Sequence, residues 1–339
     1  MILILAEAGE AWAVPVEQEL LRRDQPVCRV DAHTILDSIA LNWLLDDPGD
    51  RPSVLMEHAN GRVIPLNNLQ SIFLRAEVGR LAVVSGQYAP QDQVYVEREL
   101  SAAWYGWLHA QSCPVVNLPV FGHGGSLAVA SVAFHRAAMQ AGLVPVGTTV
   151  HSHIHRTHEW FERHNRDARV WPIGGREAAS YLRGAEGRDR LSEWIEAGPV
   201  AMQPIPEGTR MHAFVVGEAV IGGVRRTATK DGRLLPSVLD HATVAPDVAQ
   251  RCRRLTRARQ MSFAELELVL GSDGTMYCLS LSGDPVYARC SDVLRKTLVL
   301  EMSVWLAQAK EMNCRDSRVR PDYRSYRFEP LDAPCRQVG

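Results

Sequence analysis

The opening of the chain limits its fold more than any other segment. Met1-Ile2-Leu3-Ile4-Leu5-Ala6 is a short apolar run with β-branched members. Ala13 to Arg23 then places Val14, Val16, Leu20 and Leu21 at helical spacing, and Val27 to Val30 follows Pro26 as a second strand candidate. Strand, helix and strand in that order read as a β-α-β unit, the start of a doubly wound half-domain. The unit lacks a G-x-G-x-x-G turn, so dinucleotide binding there has no support. The first run also lacks the basic lead-in and cleavage site of a signal peptide and reads as a buried strand. A chain of 339 residues is long enough for two or three packed lobes. A formal net charge of -2 sets up no field that would attract nucleic acid or a membrane surface. No apolar run reaches bilayer length, so neither partner is expected. The seven cysteines form no C-x-x-C pair and read as free thiols of a cytoplasmic protein.

Beyond residue 50 the pattern changes to short strands and amphipathic helices. Pro52 to Glu57, Arg62 to Pro65 and Ser71 to Arg75 are strand candidates, the first two joined by an Ala59-Asn60-Gly61 hairpin turn. Val94 to Ala110 is a helix carrying Leu100, Trp104, Trp107 and Leu108 on one stripe, more in keeping with core packing than with a ligand platform. Pro114 to Pro119 reads as a buried strand, and Val144 to Val150 leads into a His-rich connector. Leu127 to Gln140 is a helix closed by Gly142, and a further helix covers Glu159 to His164. Phe214 to Ile221 is a hairpin turning at Gly217-Glu218, and Phe263 to Leu270 pairs with Met276 to Leu281 through Ser272-Asp273-Gly274. Helices cover Pro246 to Ala258 and Val293 to Ala309.

Taken in order, Val115-Val116-Asn117-Leu118-Pro119, Gly142 to Thr149, Gln203 to Gly217, the helix with Arg251-Cys252, and Met276-Tyr277-Cys278-Leu279 resemble the ATP-grasp carboxylate–amine ligases. The likeness is to the graspetide-type peptide ligases and glutathione-synthetase-like proteins, over about residues 50 to 310. It implies an α/β fold with a Rossmann-like N-terminal lobe (1–118) and an ATP-grasp-like domain (119–312) that contains a small lobe near 169–208. An irregular tail (313–339) would follow. It also implies ATP held between two antiparallel sheets by two lysines and Mg²⁺. Cations are needed where charge accumulates on the transferring phosphoryl group, and hard oxygen ligands suit Mg²⁺.

Against that pattern this sequence departs at most positions. The only lysines are Lys230, Lys296 and Lys310. Leu127, Ser131 and their neighbours stand where the first family lysine is expected, and Trp171 stands in place of the second. The hinge matches at Gln203, but Pro204 and Pro206 flank Ile205 and each removes a backbone donor. His212 replaces the arginine before the Val-Val-Gly hairpin, with Arg210 close by. The metal acid survives as Glu267, with Glu265 on the same strand face. Ser280 and Ser282 stand in place of the later Glu-x-Asn pair, and Asp284 is a displaced carboxylate candidate.

Correlated losses of this kind point to a degenerate member without resident ATP or Mg²⁺. Its expected role is that of a homo- or hetero-dimeric binding or scaffold subunit for a peptide, a small acid or a partner ligase. The alternative is a working ATP- and Mg²⁺-dependent ligase with relocated ligands: Arg176 and Arg210 on phosphate, Glu267 and Asp284 on the metal. On this second reading Trp171, Gln203 and Ile205 line the nucleotide site. A third reading uses the run from His151 to His158 as a metal module, because His151, His153 and His155 would share one face of a strand. The competing explanation of that run is an exposed connector. Gly122-His123-Gly124-Gly125-Ser126 resembles an anion-cradling loop before a helix, yet it lacks the Gly-Lys-Ser/Thr of a P-loop and reads better as a structural turn. The absence of a G-x-S-x-G elbow excludes a hydrolase built on His123-Gly124-Gly125. Arg251, Arg253, Arg254, Arg257 and Arg259 form a basic helix surface, read as a solvated face or as a dock for an acidic peptide.

Overall fold

The computed structural model describes residues 1–31, 39–44, 53–58, 63–66, 69–75, 89–118, 132–173, 179–225 and 238–313. The expected opening unit forms. Strand β1 (Ile2–Ala6), helix α1 (Ala13–Arg22) and strand β2 (Val27–Asp31) make a parallel β-α-β with Ile2 aligned to Val27. Helix α1 ends where Asp24 takes a left-handed conformation (φ 55°) and the Gln25 amide donates back to the Leu20 carbonyl at 3.0 Å. Strands β3 (Ile39–Leu44), β4 (Ser53–His58) and β5 (Val63–Pro65) form a separate antiparallel sheet. The pairing of β4 with β5 agrees with the expected hairpin, and the Asn60-Gly61 turn itself lies outside the described residues. Strand β6 (Ser71–Leu74) leads to helix α2 (Pro90–Ala110) and strand β7 (Val115–Val116). Together β2-β1-β6-β7 form one parallel sheet.

Both faces of β1 are covered, which explains its unbroken apolar sequence. Ile2 and Ile4 pack with Val16 and Leu20 of α1, while Leu3 and Leu5 pack against Trp104, Trp107 and Leu108 of α2. The aromatic stripe is therefore core.

Helix α3 (Val132–Gln140) closes at Gly142 (φ 82°), as expected, and residues 119–131 before it are outside the description. The run from Val144 to Val150 is shared between two sheets. It divides into β8 (Val144–Pro145), beside the later large sheet, and β9 (Thr149–His151), in a smaller one. Helix α4 (Ile154–Arg163), β10 (Asp167–Pro172), β11 (Ser180–Arg183), helix α5 (Gly184–Ala197) and β12 (Val200–Pro204) complete the small lobe, whose antiparallel sheet has the order β11-β10-β12-β9. One face of that sheet, with Ala168, Val170, Leu182, Val200 and Met202, packs on Trp160, Phe161, Leu191 and Ile195 of the two helices. Helix α5 was not legible in its charged, glycine-bearing sequence. Gly187 explains why: an added Cβ would lie 2.9 Å from the Leu182 carbonyl carbon, so the glycine lets the helix lie close on β11 at the expense of a readable apolar period.

The large sheet is β15-β14-β13-β16-β17-β8, antiparallel except for its last pair. Its strands are β13 (Thr209–Val216), β14 (Ala219–Arg225), β15 (Leu239–Ala242), β16 (Phe263–Leu270) and β17 (Met276–Ser282). Ala213, Leu266, Leu268 and Cys278 pack on one side with Phe134 of α3 and with Val248, Cys252 and Leu255 of helix α6 (Pro246–Ala258). Phe214 and Phe263 pack on the other side with Leu294, Leu298 and Met302 of helix α7 (Asp292–Asn313), which also meets α1. No described helix is long and apolar enough to cross a membrane.

The motif Val-Val-Asn-Leu-Pro yields only two paired strand residues, because Asn117 turns its amide to another element. Its Nδ2 donates to the carbonyls of Phe263 (2.6 Å) and Gly283 (2.9 Å), and its Oδ1 accepts from the amides of Ser262 and Phe263, both at 2.9 Å. One side chain thus joins the parallel sheet to the large antiparallel one.

Candidate functional site

Strand alternation determines what the two antiparallel sheets turn toward each other. On β10 and β12 the residues opposite the helix-packed face are Arg169, Trp171, Ala201 and Gln203, with Arg169 beside Gln203 in the ladder and Tyr181 of β11 on its other side. On β13 and β16 one face carries Arg210, His212, Glu265 and Glu267, with His212 opposite Glu267. The expectation that Glu265 and Glu267 share a face is met.

Between them lies a dense polar network. The Arg169 guanidinium donates to Gln203 Oε1 at 3.0 Å and approaches Glu267 Oε2 at 3.6 Å, and the Tyr181 hydroxyl donates to Glu267 Oε1. His212 Nδ1 meets Glu265 Oε1 at 2.9 Å, with Arg289 3.7 Å away from the same oxygen. Glu265 and Glu267 are each only 7% exposed. Burial pushes the Glu267 carboxyl up, but Arg169, the Tyr181 hydroxyl, His212 and Arg289 outweigh it and hold the group below its ordinary value. Burial, followed by the neighbouring Glu267 charge, raises Tyr181 well above the usual phenol range, so its proton stays on the donor oxygen. An ionised, phenol-capped carboxylate next to a buried guanidinium is a stable knot, because removing either partner would leave a buried charge unmatched.

The sequence-based candidates are distributed unevenly around this knot. Trp171 is 1% exposed within the core that contains Phe134, Leu266 and Cys278, with the Arg169 guanidinium 5.0 Å from its ring centre. Gln203 is fully buried. Its Nε2 donates to Thr148 Oγ1 at 2.9 Å and approaches the Leu279 and Val146 carbonyls at 3.3 and 3.4 Å, so it joins β12 to the edge of the large sheet. Ile205 follows β12 and is half-buried. Arg210 lies over the Tyr181 ring at 4.5 Å. Asp284 is turned away from Glu267: its side chain is 80% exposed and pairs with Arg75, which also holds Glu10 at 2.9 Å. Arg176 and the Gly122–Ser126 loop lie outside the described residues.

The histidine run does not form one strand face. His151 ends β9, His153 is the residue before α4, and His155 lies in its first turn. The helix begins there because Thr157 and the chain after it supply the buried positions Thr157, Trp160 and Phe161. Among the described residues no group of three or more His, Cys, Asp or Glu side chains is placed to hold a metal ion.

Arg169, Tyr181, Arg225 and Arg289 belong to the cleft and were missed in the sequence. Arg169 alone left a signal, since it lies two residues before Trp171 and so on the same strand face.

No family model matches the sequence, and no curated protein does. Solved structures do match. PsnB, complexed with a minimal precursor, Mg and ADP, superposes with a TM-score of 0.66 at 15% identity, over 91% of this chain and 98% of that one. The macrocyclase MdnC from Microcystis aeruginosa MRC, bound with its precursor peptide MdnA, gives 0.63 at 12% identity, over 91% and 100%. A Chryseobacterium gregarium RiPP-associated ATP-grasp ligase, in complex with ADP and a leader and core peptide, gives 0.63 at 11%, over 91% and 96%. The chain has the ATP-grasp fold.

Within an ATP-grasp fold the small sheet and the large sheet form the two walls of the cleft, and here side chains of this chain bridge those walls. Opposite Glu267 in the ladder stands Ser280, and opposite Glu265 stands Ser282. Glu267, the metal-acid candidate of the sequence, therefore faces a neutral hydroxyl across the strands. One of its oxygens accepts from Tyr181, and the other has the Arg169 guanidinium 3.6 Å away. This donor set does not fit Mg²⁺, which calls for several hard oxygen ligands in near-octahedral array.

Proposed function

We propose that this ATP-grasp-fold protein is a non-catalytic, ligase-like subunit that binds a peptide, a small acid or a partner ligase without phosphoryl transfer. One observation carries the reading. The Tyr181 hydroxyl caps one oxygen of Glu267 and the Arg169 guanidinium stands 3.6 Å from the other, both from the small sheet, where an active ATP-grasp ligase would need a carboxylate free for metal. Trp171, buried at the position of a phosphate-binding lysine, supports it, since an indole supplies no charge to a transferring phosphoryl group. Peptide binding is proposed because PsnB and MdnC were solved with precursor peptides. A scaffold role fits a homo- or hetero-dimer, which light scattering of the purified chain would report. The five described cysteines are buried, and a reducing, cytoplasmic setting is part of this reading.

The competing reading is an ATP- and Mg²⁺-dependent ligase with relocated ligands, favoured by the ADP and Mg in the PsnB structure. Calorimetric titration with ATP, with and without Mg²⁺, followed by an ATP-consumption assay separates the two. The expected result is no binding at millimolar ATP and no turnover. Micromolar, Mg²⁺-dependent binding with turnover would overturn the non-catalytic reading.

A further inference from the structure

We propose that His151 is a proton-operated latch: its neutral ring keeps β9 on the small lobe, and taking up a proton in mildly acidic solution releases that strand and loosens one wall of the cleft. The histidine run then has a use that needs no metal. His151 ends β9 opposite Val200 of β12, and its ring centre lies 6.4 Å from that of Trp160, a core residue of the lobe only 7% exposed. Trp160 also stacks on His164 at 3.8 Å. His151 as a whole is half-buried, but its Nε2 is buried and, among the described residues, has no hydrogen-bond partner. As a lone pair that nitrogen loses little by burial. As the N–H of an imidazolium it would be a charged, buried donor without an acceptor.

The surroundings oppose the same proton. The charged groups that act on the ring are Arg163 and Arg156 of α4, the first paired with Glu159 at 3.4 Å, while β12 places apolar Val200 beside it. Burial, followed by those two guanidiniums, holds His151 below the ordinary imidazole value. His158 of α4 is held below it too, by burial, Arg188 and His155, against the pull of Glu162 and Asp189. Its Nε2 donates to Ser192 Oγ of α5 at 2.9 Å, and Ser192 donates onward to the Arg188 carbonyl, so this bond survives protonation. His151 is therefore the ring with no place for the added proton. The latch reaches the cleft through the chain: Thr148, immediately before β9, accepts from Gln203 Nε2 at 2.9 Å, one of the ties between the two walls. A β9 that parts from Val200 slackens that tie.

The folded state, with His151 below the unfolded value near 6.5, binds fewer protons than the unfolded one. The stability due to the neutral ring is therefore complete above that value and declines as pH falls from it toward the folded one. Glu267, held below its ordinary carboxyl value, stays ionised throughout this window.

The full chain, with a chelator present and without ATP, is followed by hydrogen exchange at about pH 7.5 and about pH 5.5, corrected for intrinsic amide rates, and by NMR of the histidine rings. The His151 ring is expected to titrate below about 6.5. Protection of β9, α4 and β12 should fall at least about threefold at the acid pH while β13 and β16 keep theirs. His151→Phe keeps a ring against Trp160 but takes no proton, so the fall should vanish in it, and His158→Gln should retain the fall. If His151→Phe fails to fold, His151→Gln decides by the same comparison. A His151 midpoint at or above the ordinary value, a fall that persists without the imidazole, or a fall shared equally by both sheets would each overturn the latch. The non-catalytic reading is decided by the ATP titration, so the two fail separately.

Discussion

At the scale of single residues, two side chains concentrate the energetics. Glu267 is buried beside Arg169 and capped by Tyr181. Replacing it with Gln keeps the shape but leaves Arg169 poorly matched, so Glu267→Gln should cost about 3 kcal/mol in urea unfolding at neutral pH. The same carboxyl predicts a pH effect. Its folded value lies below its unfolded value near 4.3. Its contribution is therefore complete above the unfolded value and is lost as pH falls through the folded one. Wild type should lose more stability than Glu267→Gln on going from neutral to strongly acid pH, and parallel losses would contradict that assignment. Asn117 is the second case. With four hydrogen bonds to two segments, Asn117→Ala should cost roughly 2–4 kcal/mol, since several buried backbone groups lose their partner at once. Asn117 was visible in the sequence as part of a motif, but its partners, more than a hundred residues away, were not.

Among elements, the hairpins were the most legible, because their turns are local chemistry. Gly217 and Gly274 both take left-handed conformations, at φ 55° and 81°, where glycine is free of the Cβ penalty. Their surroundings differ. A Cβ on Gly217 would lie 1.9 Å from Trp305 of α7, whereas one on Gly274 would meet nothing within 4 Å. Gly274→Ala should therefore cost only the backbone term, about 1–2 kcal/mol. Gly217→Ala should cost clearly more, with displacement of Trp305 visible in its fluorescence. Equal stability losses would show that α7 yields freely. The run from Val144 to Val150 and the histidine run show the opposite limit. Local sequence assigned no element to the first and left the second between a strand face and a connector, because the switch of sheets between β8 and β9 and the start of α4 at Ile154 depend on which neighbours offer pairing and burial.

For the molecule as a whole, the two sheets are tied across the cleft by Arg169, Tyr181 and Gln203. Tyr181→Phe removes one tie while keeping the ring under Arg210 and Arg225. Hydrogen exchange in β10 and β11 should then speed up while β13 and β16 keep their protection, since local opening draws on the weakest cooperative unit. Uniform acceleration in all four strands would mean the small lobe does not open independently. A second set of ties joins the parallel sheet to the large one: Asn117, the Trp12 indole donating to the Pro285 carbonyl at 2.7 Å, and Arg75 between Glu10 and Asp284. Asp284, a displaced metal-ligand candidate in the sequence, thus takes part in lobe docking.

The sequence by itself determined the β-α-β opening, the strand faces of Glu265 and Glu267, the hairpin turns and the order of elements that resembles the ATP-grasp ligases. These follow from periodicity, glycine placement and local turn chemistry, all carried by residues close in the chain. Only the tertiary structure decided that Glu267 is closed by Tyr181 and Arg169, that Gln203 is a joint between sheets, and that Arg210 and Arg225 meet over one ring. Those contacts join residues far apart in the chain, and burial and charge balance at such a meeting exist only once the sheets are packed face to face.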